Sequence, residues 1–118
     1  MGDLAEFFSR SEFECSCGCG QNTVDAELLT ILVKVRDHFG RSMTITSGNR
    51  CPVKNKAIGG APSSWHLKGR AADVQIDGIE PQYVAEAAAQ YGASGIKIYD
   101  NWTHIDTRNG RDWQDITL

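Results

Sequence analysis

The chain has 118 residues, 41% apolar and 23% charged, with a net charge of −3, which suits one domain with a core of its own and leaves no room for two. Its 12 Lys and Arg are scattered, and no apolar run approaches the ~18 residues of a membrane span, so neither a nucleic-acid footprint nor a membrane anchor is expected. The start, Met1-Gly2-Asp3-Leu4-Ala5-Glu6, lacks the basic and apolar regions of a secretory signal, so residues 1–118 are expected to be a single monomeric domain made in a cytoplasm.

Residues 1–22 read as an irregular, cysteine-rich leader, because Gly18, Gly20 and the run from Cys15 to Gly20 disfavour a regular element. Cys15, Cys17 and Cys19 crowd together and Cys51 is distant, unlike the paired C-x-x-C of a zinc ribbon or a thioredoxin-like site. Three states stay open: structural or free thiols, a disulfide from one of the three to Cys51, or a four-thiolate structural zinc of unusual spacing.

An amphipathic helix is predicted from about Val24 to His38. Val24, Leu28, Ile31, Leu32, Val35 and Phe39 mark its buried face, Asn22 or Thr23 caps it, and Gly40 ends it. His38, near its end, suits the helix dipole and needs no other role. Ser42–Ser47 alternates as a strand, and Gly48–Ser64, with Pro52, Gly59-Gly60 and Pro62, reads as a long functional loop. Ala71–Ile76 is a second strand and Pro81–Tyr91 a second helix stopped by Gly92. Gly95–Tyr99 and Thr103–Thr107 form a hairpin joined by Asp100-Asn101-Trp102. The sum is an α+β domain: a small, mainly antiparallel sheet with two helices packed on one face.

His66 and His104 stand in motif-like surroundings. His66 ends the long loop, Asp73 follows on the second strand, and Gly69, Ala71 and Ala72 let the chain turn and pack closely between them. His104 lies on the last strand. Two imidazoles and one carboxylate make a three-ligand zinc site with a fourth position for water. Either pair alone is more often a satisfied polar contact; the combination carries the signal.

Ser64-x-His66-x-x-Gly69-x-Ala71-x-Asp73 resembles the first signature of the zinc D-Ala-D-Ala carboxypeptidases, in the superfamily that also holds lysostaphin-type endopeptidases and hedgehog domains. Gly95–Tyr99 followed by Thr103-His104-Ile105-Asp106-Thr107-Arg108 resembles the second. Ser47-Gly48-Asn49-Arg50-Cys51, Asn55 and Gly59-Gly60 are similar to the loop before the first ligand, and Phe8–Phe13 to the leader of short phage and bacterial members. The resemblance implies a hedgehog/D,D-peptidase-like fold, one catalytic Zn2+ on His66, Asp73 and His104, and peptidoglycan stem peptides as substrate, cut by a D,D-carboxypeptidase or endopeptidase that acts as a phage endolysin, a virion-borne hydrolase or a bacterial one. It also implies that Arg50 binds the substrate carboxylate or polarises its carbonyl. Ser64 either bonds the substrate or shapes the loop.

Proton transfer needs a carboxylate. Many members place one three residues before the last ligand, where this chain has Asn101. Asp106, on the face of His104 by strand alternation, serves as base or orients an imidazole. Asp100 at the hairpin turn is the other carboxylate within reach, and Tyr99 would stabilise the oxyanion. The alternative is a zinc-holding but catalytically silent module that binds cell wall or builds a virion.

Overall fold

The computed structural model describes residues 10–15, 17–19, 24–60 and 64–108. The candidate caps Asn22 and Thr23, the first nine residues of the leader and the last ten of the chain lie outside them.

Helix α1 spans Ala26–Phe39 and buries Leu28, Leu29, Ile31, Leu32 and Val35. Its cap is Asp25, two or three residues later than expected, whose carboxylate accepts from the Leu28 N–H at 3.4 Å. Asp25 also takes a bond from the Thr107 hydroxyl at 3.4 Å, and its own N–H donates to the Gly69 carbonyl at 2.9 Å. The start of α1 is thereby tied to both segments that deliver the histidines. Farther along, His38 meets the Tyr91 hydroxyl at 3.1 Å on the surface.

Strands β1 (Met43–Ser47), β2 (Ala71–Ile76), β3 (Gly95–Ile98) and β4 (Thr103–Asp106) form one sheet in the order β1-β2-β4-β3. Every pairing is antiparallel. Ala72, Val74 and Ile105 point to the side where α1 and α3 (Pro81–Gln90) pack, and are fully or almost fully buried there. Strand alternation leaves Asp73, His104 and Asp106 on the other face.

Two expectations need correction. The segment taken as a continuous loop contains a third helix, α2 (Pro52–Ala57), with Pro52 at its first position and Cys51 as its cap. Asn55 is its only buried residue, so it carries no apolar periodicity to read. The hairpin turns on Asp100-Asn101 alone, since the Tyr99 N–H already donates to the Trp102 carbonyl at 2.9 Å. Within the leader, a 3-10 helix at Arg10–Phe13 sends Phe13 into the core at 1% exposure.

Candidate active site

The sheet lays four polar side chains in a row across its open face. Ser47 on β1 pairs with Asp73 on β2, Asp73 with His104 on β4, and His104 with Lys97 on β3. Directly opposed residues of antiparallel strands share a face with their Cβ atoms ~5 Å apart. Asp73 and His104 are therefore neighbours because of register, and their side chains meet at 3.1 Å between Oδ1 and Nδ1.

His66 arrives from a 3-10 helix, Trp65–Lys68, that precedes β2. The Ser64 hydroxyl caps it by accepting from the His66 N–H at 3.2 Å. Gly69 ends it in the left-handed region, φ 70°, where a side chain would be strained. That reversal swings the imidazole back over β2, placing Nε2 3.3 Å from Asp73 Oδ1. His66 Nδ1 lies 2.7 Å from the Gly48 carbonyl. A carbonyl only accepts, so Nδ1 carries the proton and Nε2 presents its lone pair to the site. The loop is stitched to this helix: the Asn49 amide and the Arg50 N–H both donate to the His66 carbonyl, at 2.9 and 3.0 Å.

His104 is gripped from both sides. Its Nε2 donates to Asp106 Oδ2 at 2.7 Å. Asp106 is fully buried and is itself held by Arg108, whose Nε and Nη2 donate at 2.9 and 2.6 Å. Burial alone would raise the Asp73 carboxyl, but the bonds from His104 and His66 prevail and bring it to about 2. Burial would lower His104, yet Asp106 and Asp73 together carry it up to about 9. Asp106 ends below the usual carboxylate range, because His104 and Arg108 outweigh its desolvation. Positive charge is stabilised between these carboxylates, which is the electrostatic requirement of a cation site.

The donor set fits zinc. A tetrahedral ion with ligand bonds of about 2.0–2.1 Å separates its ligands by about 3.3 Å. The separations from Asp73 Oδ1 to His66 Nε2 and His104 Nδ1, 3.3 and 3.1 Å, match that edge. Each imidazole has its remote nitrogen fixed, His66 by a carbonyl and His104 by a carboxylate, as metal-binding imidazoles require.

The other expected site residues are more dispersed. Arg50 lies against the triad, with its guanidinium donating to Asp73 Oδ2 at 3.4 Å, Asn55 Oδ1 at 3.2 Å and Ser47 Oγ at 3.2 Å. Ser64 faces the backbone of the His66 turn. Tyr99 stacks on Trp102 with centroids 4.6 Å apart, and the Lys97 ammonium lies 5.1 Å from its ring. Asp100 is exposed at the turn. Asn101 borders a separate cleft with Ser42, Thr44 and Pro81, which no member of the triad lines.

Sequence reasoning gave no individual role to Lys97, Asn55, Gly95 or Arg108. Lys97 and Gly95 were legible from the hairpin once its turn is centred on Asp100-Asn101, which puts them opposite His104 and Asp106. Asn55 depended on the unforeseen α2. A Cβ on Gly95 would overlap the Asp106 carboxylate. Gly95→Ala is accordingly expected to displace Asp106, weakening metal retention about 10–100-fold by loosening His104 and costing about 1–3 kcal/mol by overpacking. Metal-competition titration and urea unfolding read the two effects.

Residues 6–106 match the Peptidase M15 family. The chain is 33% identical over 72 residues to the peptidoglycan L,D-endopeptidase MepK of Escherichia coli (strain K12) and to that of Shigella flexneri, covering 59% of this chain and 38% of theirs. It is 31% identical over 65 residues to a probable peptidoglycan L,D-endopeptidase MepK of Haemophilus influenzae, covering 53% and 35%. The matched stretch thus spans less than two fifths of these curated relatives. With nearly the whole described fold inside the family match, the chain belongs to the Peptidase M15 family.

Proposed function

We propose that this chain is a zinc-dependent peptidase that hydrolyses peptide bonds in peptidoglycan stem peptides, with His66, Asp73 and His104 as the metal ligands. The observation that carries the reading is the convergence of two imidazole nitrogens on Asp73 Oδ1 at 3.3 and 3.1 Å, a three-donor set that leaves a fourth position for water or substrate. With zinc held by His66, Asp73 and His104, the site would gain Lewis-acid polarisation of the scissile carbonyl and a water whose pKa would fall toward ~7.

The chain's own residues do the remaining work. Asp106 and Arg108 hold the His104 imidazole with Nδ1 facing the site, so Asp106 serves as a positioning group and not as the base. Its oxygens are taken by His104 and Arg108. Of the two hairpin carboxylates, Asp100 is then the one left to accept the water proton and return it to the leaving amine, and Tyr99, on the face of His104, lends its phenol to the carbonyl oxygen. Ser64 shapes the turn that presents His66. Arg50 steadies Asp73. Three of its five N–H donors are given to Ser47, Asn55 and Asp73, which leaves less of the fork for a substrate's terminal carboxylate. That, with the L,D-endopeptidase activity named for the relatives, favours an internal bond over terminal D-Ala-D-Ala.

The zinc-loaded chain is expected to release new amino groups from purified peptidoglycan, to stop when zinc is chelated and to resume when zinc is restored. Mass analysis of products from a defined muropeptide identifies the bond. No release from any wall chemotype, together with retention on sacculi, would instead support a silent wall-binding module. The amide of Asn101, where many members have a carboxylate, favours that second reading.

A further inference from the structure

The four cysteines, separated by as many as 36 positions in sequence, meet in space. All four Sγ atoms lie within 4.8 Å of one another. Cys15 Sγ is 3.5 Å from Cys17 and 3.7 Å from Cys51, and Cys17 is 3.5 Å from Cys51. A disulfide would bring two of them to ~2.05 Å; all four are free thiols. A zinc ion with Zn–S bonds of about 2.3 Å sets its sulfurs about 3.8 Å apart in a tetrahedron, close to the separations seen.

Apolar packing does not account for the cluster. Cys15 and Cys51 are buried, but Cys17 and Cys19 are exposed, so burial does not draw those two inward. The backbone is bent to bring them in. Gly18 adopts φ 84° and donates to the Cys15 carbonyl at 3.3 Å, a tight turn that lets alternate cysteines face one point. Backbone donors are aimed at sulfur: the Cys51 N–H at Cys15 Sγ and the Lys54 N–H at Cys51 Sγ, both at 3.4 Å. Such bonds favour thiolate over thiol. Four sulfurs within 4.8 Å of one another, two of them fixed by backbone donors, outline a cation site.

We propose that Cys15, Cys17, Cys19 and Cys51 form a second zinc site, a closed four-thiolate shell that pins the N-terminal segment against the loop carrying Arg50. Its shell has no open position, so it is structural and takes no part in the reaction. Its reach into the active site is short. Cys51 follows Arg50, which contacts Asp73. Two residues before Cys15, the Phe13 carbonyl accepts from the Asn49 N–H at 2.9 Å, next to the Gly48 carbonyl that orients His66. The site stands on the cysteines alone and does not depend on the peptidase reading.

The full chain, expressed with zinc and purified without chelator, is expected to hold two zinc ions. A His66→Ala/His104→Ala variant should fall to one, and cobalt put in place of that ion should show an intense sulfur-to-cobalt charge-transfer band. Adding Cys17→Ser and Cys19→Ser to that variant should remove both the metal and the band. Two results would overturn the proposal: a metal-free double-histidine variant, with free thiols or with a mass two hydrogens short through a disulfide, or a charge-transfer band that survives the serine substitutions. Because the double-histidine variant keeps all four cysteines, misfolding of the serine variants leaves the first test standing.

Discussion

Replacing His66 with alanine is expected to bring zinc-dependent hydrolysis of peptidoglycan to background. Losing a group that only orients a ligand typically costs 10–100-fold in metal affinity or activity, and deleting a ligand should cost more than the upper end of that range. The residue is 3% exposed and its Nδ1–H satisfies the Gly48 carbonyl. Alanine therefore also leaves a buried acceptor unpaired, for about 1–3 kcal/mol. Activity, zinc content and the urea midpoint should be measured on one preparation. A folded His66→Ala chain that has lost its active-site zinc and still cleaves at the wild-type rate would sink the metallopeptidase reading.

Asp106→Asn should be the most damaging change among residues that do not touch the metal. The amide keeps the shape and can still accept from His104 Nε2–H, but the charge that faces His104 and Arg108 is gone. Zinc retention is expected to weaken about 10–100-fold. Stability should fall by less than the 3–5 kcal/mol typical of a broken buried pair, because Arg108, 44% exposed, can turn to solvent. Metal-competition titration separates this from the role of a base: an orienting Asp106 costs metal affinity, and rate recovers under saturating zinc. Asp100→Ala should show the reverse, with slower turnover and unchanged metal content. A zinc-saturated Asp106→Asn enzyme that stays slow would reassign Asp106 to proton transfer.

Much of this molecule was legible from residues alone where a single element carries its own periodicity. The α1 stripe of Leu28, Ile31, Leu32 and Val35 and the alternation of β2 are local, and each corresponds to an element seen in the fold. Gly40, Pro81 and Gly92 marked helix ends through backbone chemistry that needs no partner. Helix α2 was not legible because it buries no apolar side chain and so leaves no pattern. Asp25 as the cap of α1 was hidden among neighbouring candidates; the bond its carboxylate accepts from the Leu28 N–H identifies it, and the bond from Thr107 holds that carboxylate in place.

The proposed metal triad shows the same division. Residue type, spacing and the resemblance to the zinc D-Ala-D-Ala carboxypeptidases together pointed to His66, Asp73 and His104, because chemistry restricts which side chains bind zinc and the intervening Gly and Ala permit close approach. What only the tertiary structure decided is which atoms meet. Register across β2 and β4 sets Asp73 beside His104, the left-handed turn at Gly69 brings His66 Nε2 to the same carboxylate oxygen, and Arg108 turns Asp106 away from the site and onto the remote nitrogen of His104. The cysteines are the extreme case. Their sequence left thiol, disulfide and zinc open, because a pairing across 36 residues is set by how the leader folds back on the loop and by no local preference.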